Sequence, residues 1–283
     1  MSLDYQKLMS WPFSAVTRTF SQADSIAFAR GFGAGASAAM QAEDAVFIGP
    51  SEPIKALPMI AVALADGEFW QQNPATGIVW QQIVHAQEAV RIYRPLPVAG
   101  SVVITQKIKD LFDRGAEKGA VMVQEQLISE PDGQPLATIE VTTVLRGNGG
   151  FGGDPQNSPR PEPFPERPAD AVLDMATPTE PDTLFRLSAD IAVASQAAGG
   201  DRPRAMIRGV GCFGLAGRGV LKMACGNEPS RLRAFSVRYA GPMFTGETMR
   251  IELWNLREGY AVFRMQAVER QQPVLSHGYV EFD

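Results

Sequence analysis

Residues 94–147 read RPLPVAGSVVITQKIKDLFDRGAEKGAVMVQEQLISEPDGQPLATIEVTTVLRG, and residues 241–282 read GPMFTGETMRIELWNLREGYAVFRMQAVERQQPVLSHGYVEF. Each opens with a short run from proline to glycine. Three apolar stretches follow in each: SVVITQKIKDL, KGAVMVQEQLISE and PLATIEVTTVLRG in the first, ETMRIELWNL, GYAVFRMQAVER and PVLSHGYVEF in the second. Stretches of this length, rich in branched and aromatic residues and bounded by turns, predict strands. Alternation is imperfect in the first set, where Glu125 interrupts the face of Val121, Val123 and Leu127. It is clean in the second, where Ala261, Phe263, Met265 and Ala267 share a face. Asp132-Gly133 predicts a hairpin, because a primed turn needs positive φ and glycine adopts it without steric strain. A three-strand meander occurring twice in the same order is an internal repeat, so the chain reads as two similar halves.

Outward from the meanders, each half offers a helix-forming stretch. Residues 21–33 (SQADSIAFARGFG) open with a serine suited to cap a helix and set Ile26, Phe28 and Ala29 on an apolar side. Residues 209–225 (GVGCFGLAGRGVLKMAC) place Val210, Phe213 and Leu221 at loosely helical spacing. Glycines in a helix interior cost about 1 kcal/mol each against alanine, so a helix rich in them is expected to lie close against a curved sheet. Between the halves, residues 147–168 (GNGGFGGDPQNSPRPEPFPERP) are dense in glycine and proline and read as a connection. The expected units are therefore 1–150, a linker over 151–168, and 169–283. The fold class is α+β, built on duplicated antiparallel sheet.

Hydrophobic residues make up 45% of the chain and charged residues 20%, enough apolar material for a sizeable core. A formal net charge of -5 argues against a nucleic-acid surface, which would concentrate positive charge. The apolar runs at 58–65 and 209–225 are too short or too interrupted to span a membrane. Cys212 and Cys225 give neither a disulfide framework nor zinc spacing and read as small buried residues. With no secretory pattern at residues 1–12, a reducing compartment, the cytoplasm, is expected. No cluster has metal-ligand spacing, and the glycine runs lack the Lys-Ser/Thr ending of a phosphate loop, so no metal and no cofactor are expected. Phe69, Trp70 and Trp80 beside Pro74 suggest an aromatic wall, with core packing as its ordinary role. Of the two histidines, His85 reads as structural and His277 as an ordinary strand residue.

LFRLSADIAVASQ at 184–196, followed by AMIRGVGCFGLAGRGVLK, resembles the signature of the MaoC-like, (R)-specific enoyl-CoA hydratases. The resemblance covers essentially the whole chain: VHAQEAVRIYRPLP at 84–97, LRGNGGFGG at 145–153 and RLRAFSVRYAGPMFTGETMRIELW at 231–254 each match a family segment. It implies a double hotdog, two sheets each wrapped around a helix, with an acyl-CoA or enoyl-CoA thioester bound between the halves. It also implies an acyl-tail side in the first half, where members that take bulky acyl groups shorten the central helix.

In the family, an Asp and a His hold the water that adds across the α,β double bond, while a backbone N–H at the glycine-containing helix polarises the thioester carbonyl. Carried over, the Asp is Asp190, the His position holds Ser195, and the helix glycine is Gly209. The family Asn and Pro are replaced by Ala192 and Val193, and the His before the helix glycine by Arg208. The departures fall on the catalytic signature and spare the scaffold. Arg208, Arg186 and Arg218 are the candidate cations for substrate or CoA. Three readings stay open: a hydratase or dehydratase using Asp190 with Ser195 in the histidine's place; a binding-only or partner-dependent acyl-CoA subunit; and a thioesterase. A homodimer, or pairing with a partner hotdog subunit, is the expected assembly.

Overall fold

The computed structural model describes residues 3–36, 38–49, 53–155, 161–177 and 205–283. In chain order the first half contains α1 (Tyr5–Met9), β1 (Val16–Phe20), α2 (Gln22–Gly31), α3 (Ala38–Glu43), α4 (Ala45–Ile48) and α5 (Ile60–Ala65). The strands β2 (Ile83–Ile92), β3 (Gly100–Asp113), β4 (Ala120–Ser129) and β5 (Pro135–Leu145) follow. The second half contains β6 (Ala171–Ala176), β7 (Met206–Ile207), α6 (Gly209–Cys225), β8 (Leu232–Tyr239), β9 (Met243–Phe244), β10 (Thr248–Arg257), β11 (Tyr260–Ala267) and β12 (Gln272–Phe282).

Both predicted meanders form, as β3-β4-β5 and β10-β11-β12, every adjacent pair antiparallel. The Asp132-Gly133 turn closes the β4–β5 hairpin with Gly133 at φ 90°. Among the described residues, ten strands make one sheet in the order β1-β3-β4-β5-β2-β8-β12-β11-β10-β6. From either edge the order is the same: an outer strand, the three meander strands, then the strand that precedes the meander. The halves meet where β2 pairs antiparallel with β8, from Gln87↔Arg238 to Arg91↔Ala234. Each half brings an edge to this pairing and the ladder covers both. The result is the double hotdog.

Helix α6 lies in the core, with Gly211–Leu221 buried, and packs on β6, β8, β10 and β12. Its glycines are where other groups come too close for a side chain. A Cβ on Gly219 would stand 2.4 Å from Ile251 of β10, as the curved-sheet reading expects. A Cβ on Gly214 would meet the Phe32 ring at 2.2 Å, and one on Gly217 would meet Met59 at 2.5 Å. Those two contacts come from the first half, so α6 belongs to both. Gly226 ends the helix at φ 63°, its N–H returning to the carbonyls of Leu221 and Lys222.

Two expectations need correction, and the glycine run between the halves is more firmly held than its composition implies. The stretch at 21–33 does form a helix, α2, with a reciprocal cap between Ser21 and Asp24, but α2 packs on α4. The helix lying against β4 and β5 in the first half is the six-residue α5, from an apolar run too short to advertise itself. The glycine run that opens the presumed connection is docked. Asp113 accepts the N–H groups of Gly115, Gly150 and Gly152. Those bonds, Gly150's foremost, hold its carboxyl below the usual range. Asn148 bridges Val79 and Gly77. His277 adopts φ 46° where β12 slips register against β8, so it is not an ordinary strand residue.

Gly214→Ala forces a methyl group into the Phe32 ring. Overpacking of this kind costs about 1–3 kcal/mol, so the urea midpoint is expected to fall with the slope unchanged. An unchanged midpoint would mean that α6 does not rest on Phe32.

Candidate active site

Asp190, Ser195 and Arg186 fall outside the described residues. Gly209, Arg208 and Arg218 are described, and they part company. Gly209 is the first residue of α6, and Arg208 occupies its cap position with an extended backbone (φ -63°, ψ 158°) and no side-chain cap. The first residue whose N–H reaches back within the helix is Cys212, to the carbonyl of Arg208. The N–H groups before it are the ones a helix leaves without an internal acceptor. Arg208 is exposed and makes no ion pair among the described residues. A cation beside the positive end of a helix is unfavourable unless an anion completes the arrangement.

Arg218 does not stand at a surface where a CoA phosphate could meet it. It is 4% exposed, its guanidinium paired with Asp44 and bonded to the carbonyl of Phe32. Asp44 also accepts the Gly35 N–H at 2.9 Å. A buried charge must be partnered inside the protein. Here the partners tie α6 to the helices of the first half.

At the junction of β2 and β8 the structure assembles a group that sequence reading had left apart. Against β5, β2 carries one extra residue: His85 faces Thr143 and Gln87 faces Thr142. In a regular strand, residues three apart point to opposite sides of the sheet. The bulge restores His85 and Glu88 to one side. Glu88 pairs with Val237 of β8, so Tyr239, two residues on, shares that side. The Tyr239 hydroxyl donates to Glu88 Oε2 at 2.6 Å. His85 Nε2 lies 3.8 Å from the same oxygen, and its ring is 4.6 Å from the Tyr239 ring, centre to centre.

Glu88 is 2% exposed. Burial pushes its carboxyl up, opposed by the neighbouring His85 and the Tyr239 hydrogen bond. Burial, with Glu88 beside it, pushes Tyr239 well above the usual phenol range. His85 Nε2 and Thr143 Oγ1, on residues opposite one another, are buried and have no hydrogen-bond partner among the described residues.

The Tyr239 ring links this group to α6. A Cβ on Gly209 would stand 3.1 Å from it, so glycine is what lets ring and helix start approach this closely. Cys212, one turn along, is pushed up to about 12 by burial and Cys225 to about 11, which leaves both thiols protonated and inert. Among the described residues no cluster of three or more His, Cys, Asp or Glu could hold a metal ion, and no helix is long and apolar enough to cross a membrane.

Glu88 and Tyr239 were not singled out from sequence, and His85 was read as structural. The only available signal was a carboxylate inside the strand IVHAQEAVRI. The aromatic wall is divided. Trp70 packs on Trp11 and Phe13 and donates to Gln124, whereas Phe69 and Trp80 meet edge to face and are exposed. An open hollow of about 510 Å³ between α2 and α4 is lined by Arg30, Ala34, Gly35, Gln41, Ile48 and Gly49.

Residues 19–147 match the family model of the MFE-2 hydratase 2 N-terminal domain. The chain is similar to 3-hydroxyacyl-thioester dehydratase Y of Mycobacterium tuberculosis, 31% identical over 82% of this chain and 81% of that protein. It is also similar to a probable enoyl-CoA hydratase 2 of Dictyostelium discoideum, 31% identical over 69% of this chain and 68% of that protein. In fold it resembles a MaoC-like dehydratase from Phytophthora capsici, with a TM-score of 0.81 at 24% identity, covering 99% of each chain. The full-length peroxisomal multifunctional enzyme type 2 of Drosophila melanogaster gives 0.74 at 26% identity, over 95% of this chain and 48% of that one. With these relatives, the chain belongs to the MaoC-like, hydratase-2 family of enoyl-CoA hydratases and 3-hydroxyacyl-thioester dehydratases.

Proposed function

We propose that the protein adds water to an enoyl-CoA thioester, or removes it from the 3-hydroxyacyl-CoA, at the N-terminus of α6. The observation that carries this reading is the start of α6 itself, where internally unpaired N–H groups begin at Gly209 beside an exposed Arg208 that has no anionic partner among the described residues. That arrangement suits an oxygen on which negative charge develops. In the hydration direction, Asp190 takes a proton as the water oxygen bonds to Cβ and the π pair moves into an enolate whose oxygen accepts the Gly209 N–H. Asp190 then gives that proton to Cα as the enolate collapses, which restores the carboxylate and leaves the water's H and OH on the product. Ser195 occupies the place of the family histidine and holds the water by hydrogen bonding. Arg208 binds a CoA phosphate, for which a guanidinium is well shaped.

The acyl group runs into the first half. Support comes from the contrast between α5, six residues long, and its counterpart α6, with 17. In this family a short helix there accompanies bulky acyl groups, and the hollow between α2 and α4 lies in the same half. We read residues 1–150 and 169–283 as the two units, with 151–168 between them.

Hydration of crotonyl-CoA and longer enoyl-CoAs is followed by loss of the enoyl-thioester absorbance. Asp190→Asn is expected to lower kcat by about 10²–10⁴. No turnover on any thioester, with CoA esters still bound, would leave a binding subunit in place of a hydratase. Arg208→Ala is expected to raise KM with kcat retained, the signature of lost uniform binding. A fall in kcat at unchanged KM would move Arg208 from phosphate binding to the reacting centre.

A further inference from the structure

We propose that Glu88, held by Tyr239 and flanked by His85, is a positioning residue of the thioester site, its ionised form fixing the Tyr239 ring against Gly209 and so aiming the helix N–H groups. This rests on the reading of α6 as the carbonyl-binding element and adds a second carboxylate to Asp190. The geometry is direct. Glu88 Oε2 accepts the Tyr239 hydroxyl at 2.6 Å, and the ring of that tyrosine is what a side chain on residue 209 would strike. A hydroxyl bonded to a carboxylate is held more firmly than one bonded to a neutral acid. Protonating Glu88 therefore loosens the ring that backs Gly209.

The surroundings of Glu88 make its ionised form costly to the fold. His85 from its own strand and Tyr239 from β8 stand against it, the charge of Asp66 after α5 acts on it, and Cys212 of α6 acts on Tyr239. Its partner on β5 is the apolar Val141. Among the described residues, no arginine or lysine is one of these neighbours. Burial raises the Glu88 carboxyl, so folding favours its protonated form. The stability this provides is present below the unfolded pKa and lost as pH rises through the higher folded value. Wherever the group is ionised, it weakens the fold. An ionisable carboxyl kept at such a position, bonded to the tyrosine that packs on the first residue of the site helix, fits a role in function.

The test compares kcat and KM for crotonyl-CoA hydration across pH in wild type, Glu88→Gln, Tyr239→Phe and Asp190→Asn, with thermal unfolding at about pH 5 and about pH 8. Glu88→Gln is expected to lower kcat by up to about 10²-fold, as a small misplacement of the site does, with KM little changed. The part of the acid limb owed to Glu88 should be lost, leaving only the limb set by protonation of Asp190. Its Tm should gain on wild type as pH rises, whereas a purely structural Glu88 would lose Tm on substitution. Tyr239→Phe keeps the ring and removes the bond, and should reproduce the loss of kcat and of the Glu88 part of the acid limb. If Asp190→Asn is inactive while Glu88→Gln and Tyr239→Phe retain the wild-type kcat and pH profile, the positioning role is overturned and the hydratase reading stands. If Glu88→Gln loses rate only in step with a lower Tm, the residue is structural and the proposal fails. If wild type turns over no thioester, the functional reading and this role fall together.

Discussion

The antiparallel pairing of β2 with β8 is the contact on which the rest of the molecule depends. It joins two half-sheets, each of which would otherwise present an open row of backbone groups, into one continuous ladder. It also sets register. Because side chains alternate across a strand, the pairing decides which residues of β2 face α6, and a slip of one residue would turn Glu88 outward. The bulge at residue 86 acts within this frame, adding His85 to the same side. One backbone arrangement therefore holds the sheet together and collects the acidic, phenolic and imidazole groups behind Gly209.

Helix α6 takes its position from both halves. Gly219 approaches β10 of the second half, while Gly214 and Gly217 admit Phe32 and Met59 from the first. The Arg218–Asp44 pair adds a buried, directional tie across the same boundary. Removing either member would strand a charge in the core, which is far more disruptive than losing a surface pair. The start of α6 is thus fixed along its length by packing and at its tip by Tyr239. Preorganised donors of this kind are the basis of electrostatic stabilisation in enzymes, because they need not reorganise when charge appears.

Much of the fold was legible in the sequence. The doubled meander, the Asp132-Gly133 hairpin, the capped helix after Ser21 and the glycine-rich helix at 209–225 all rest on local chemistry, and local patterns report them. What failed to show depends on long-range pairing. Nothing in IAVALA distinguishes a short core helix from a buried strand, and a bulge leaves no periodic trace in IVHAQEAVRI. Arg218 reads as a free cation because its partner, Asp44, lies 174 positions earlier in the chain. Of the candidate site, Gly209 and Arg208 were legible through the family resemblance. Glu88 and Tyr239 were not, since they meet only once the two halves are paired.

The hydratase reading turns on whether the thioester carbonyl is received by the N–H groups at the start of α6. The most direct measurement is the ¹³C resonance of a carbonyl-labelled, saturated acyl-CoA bound to the wild-type protein. Hydrogen bonds from Gly209 would polarise the carbonyl, so a downfield shift from the free thioester is expected. A resonance unchanged from the free ligand, under conditions where the acyl-CoA is fully bound, would contradict it.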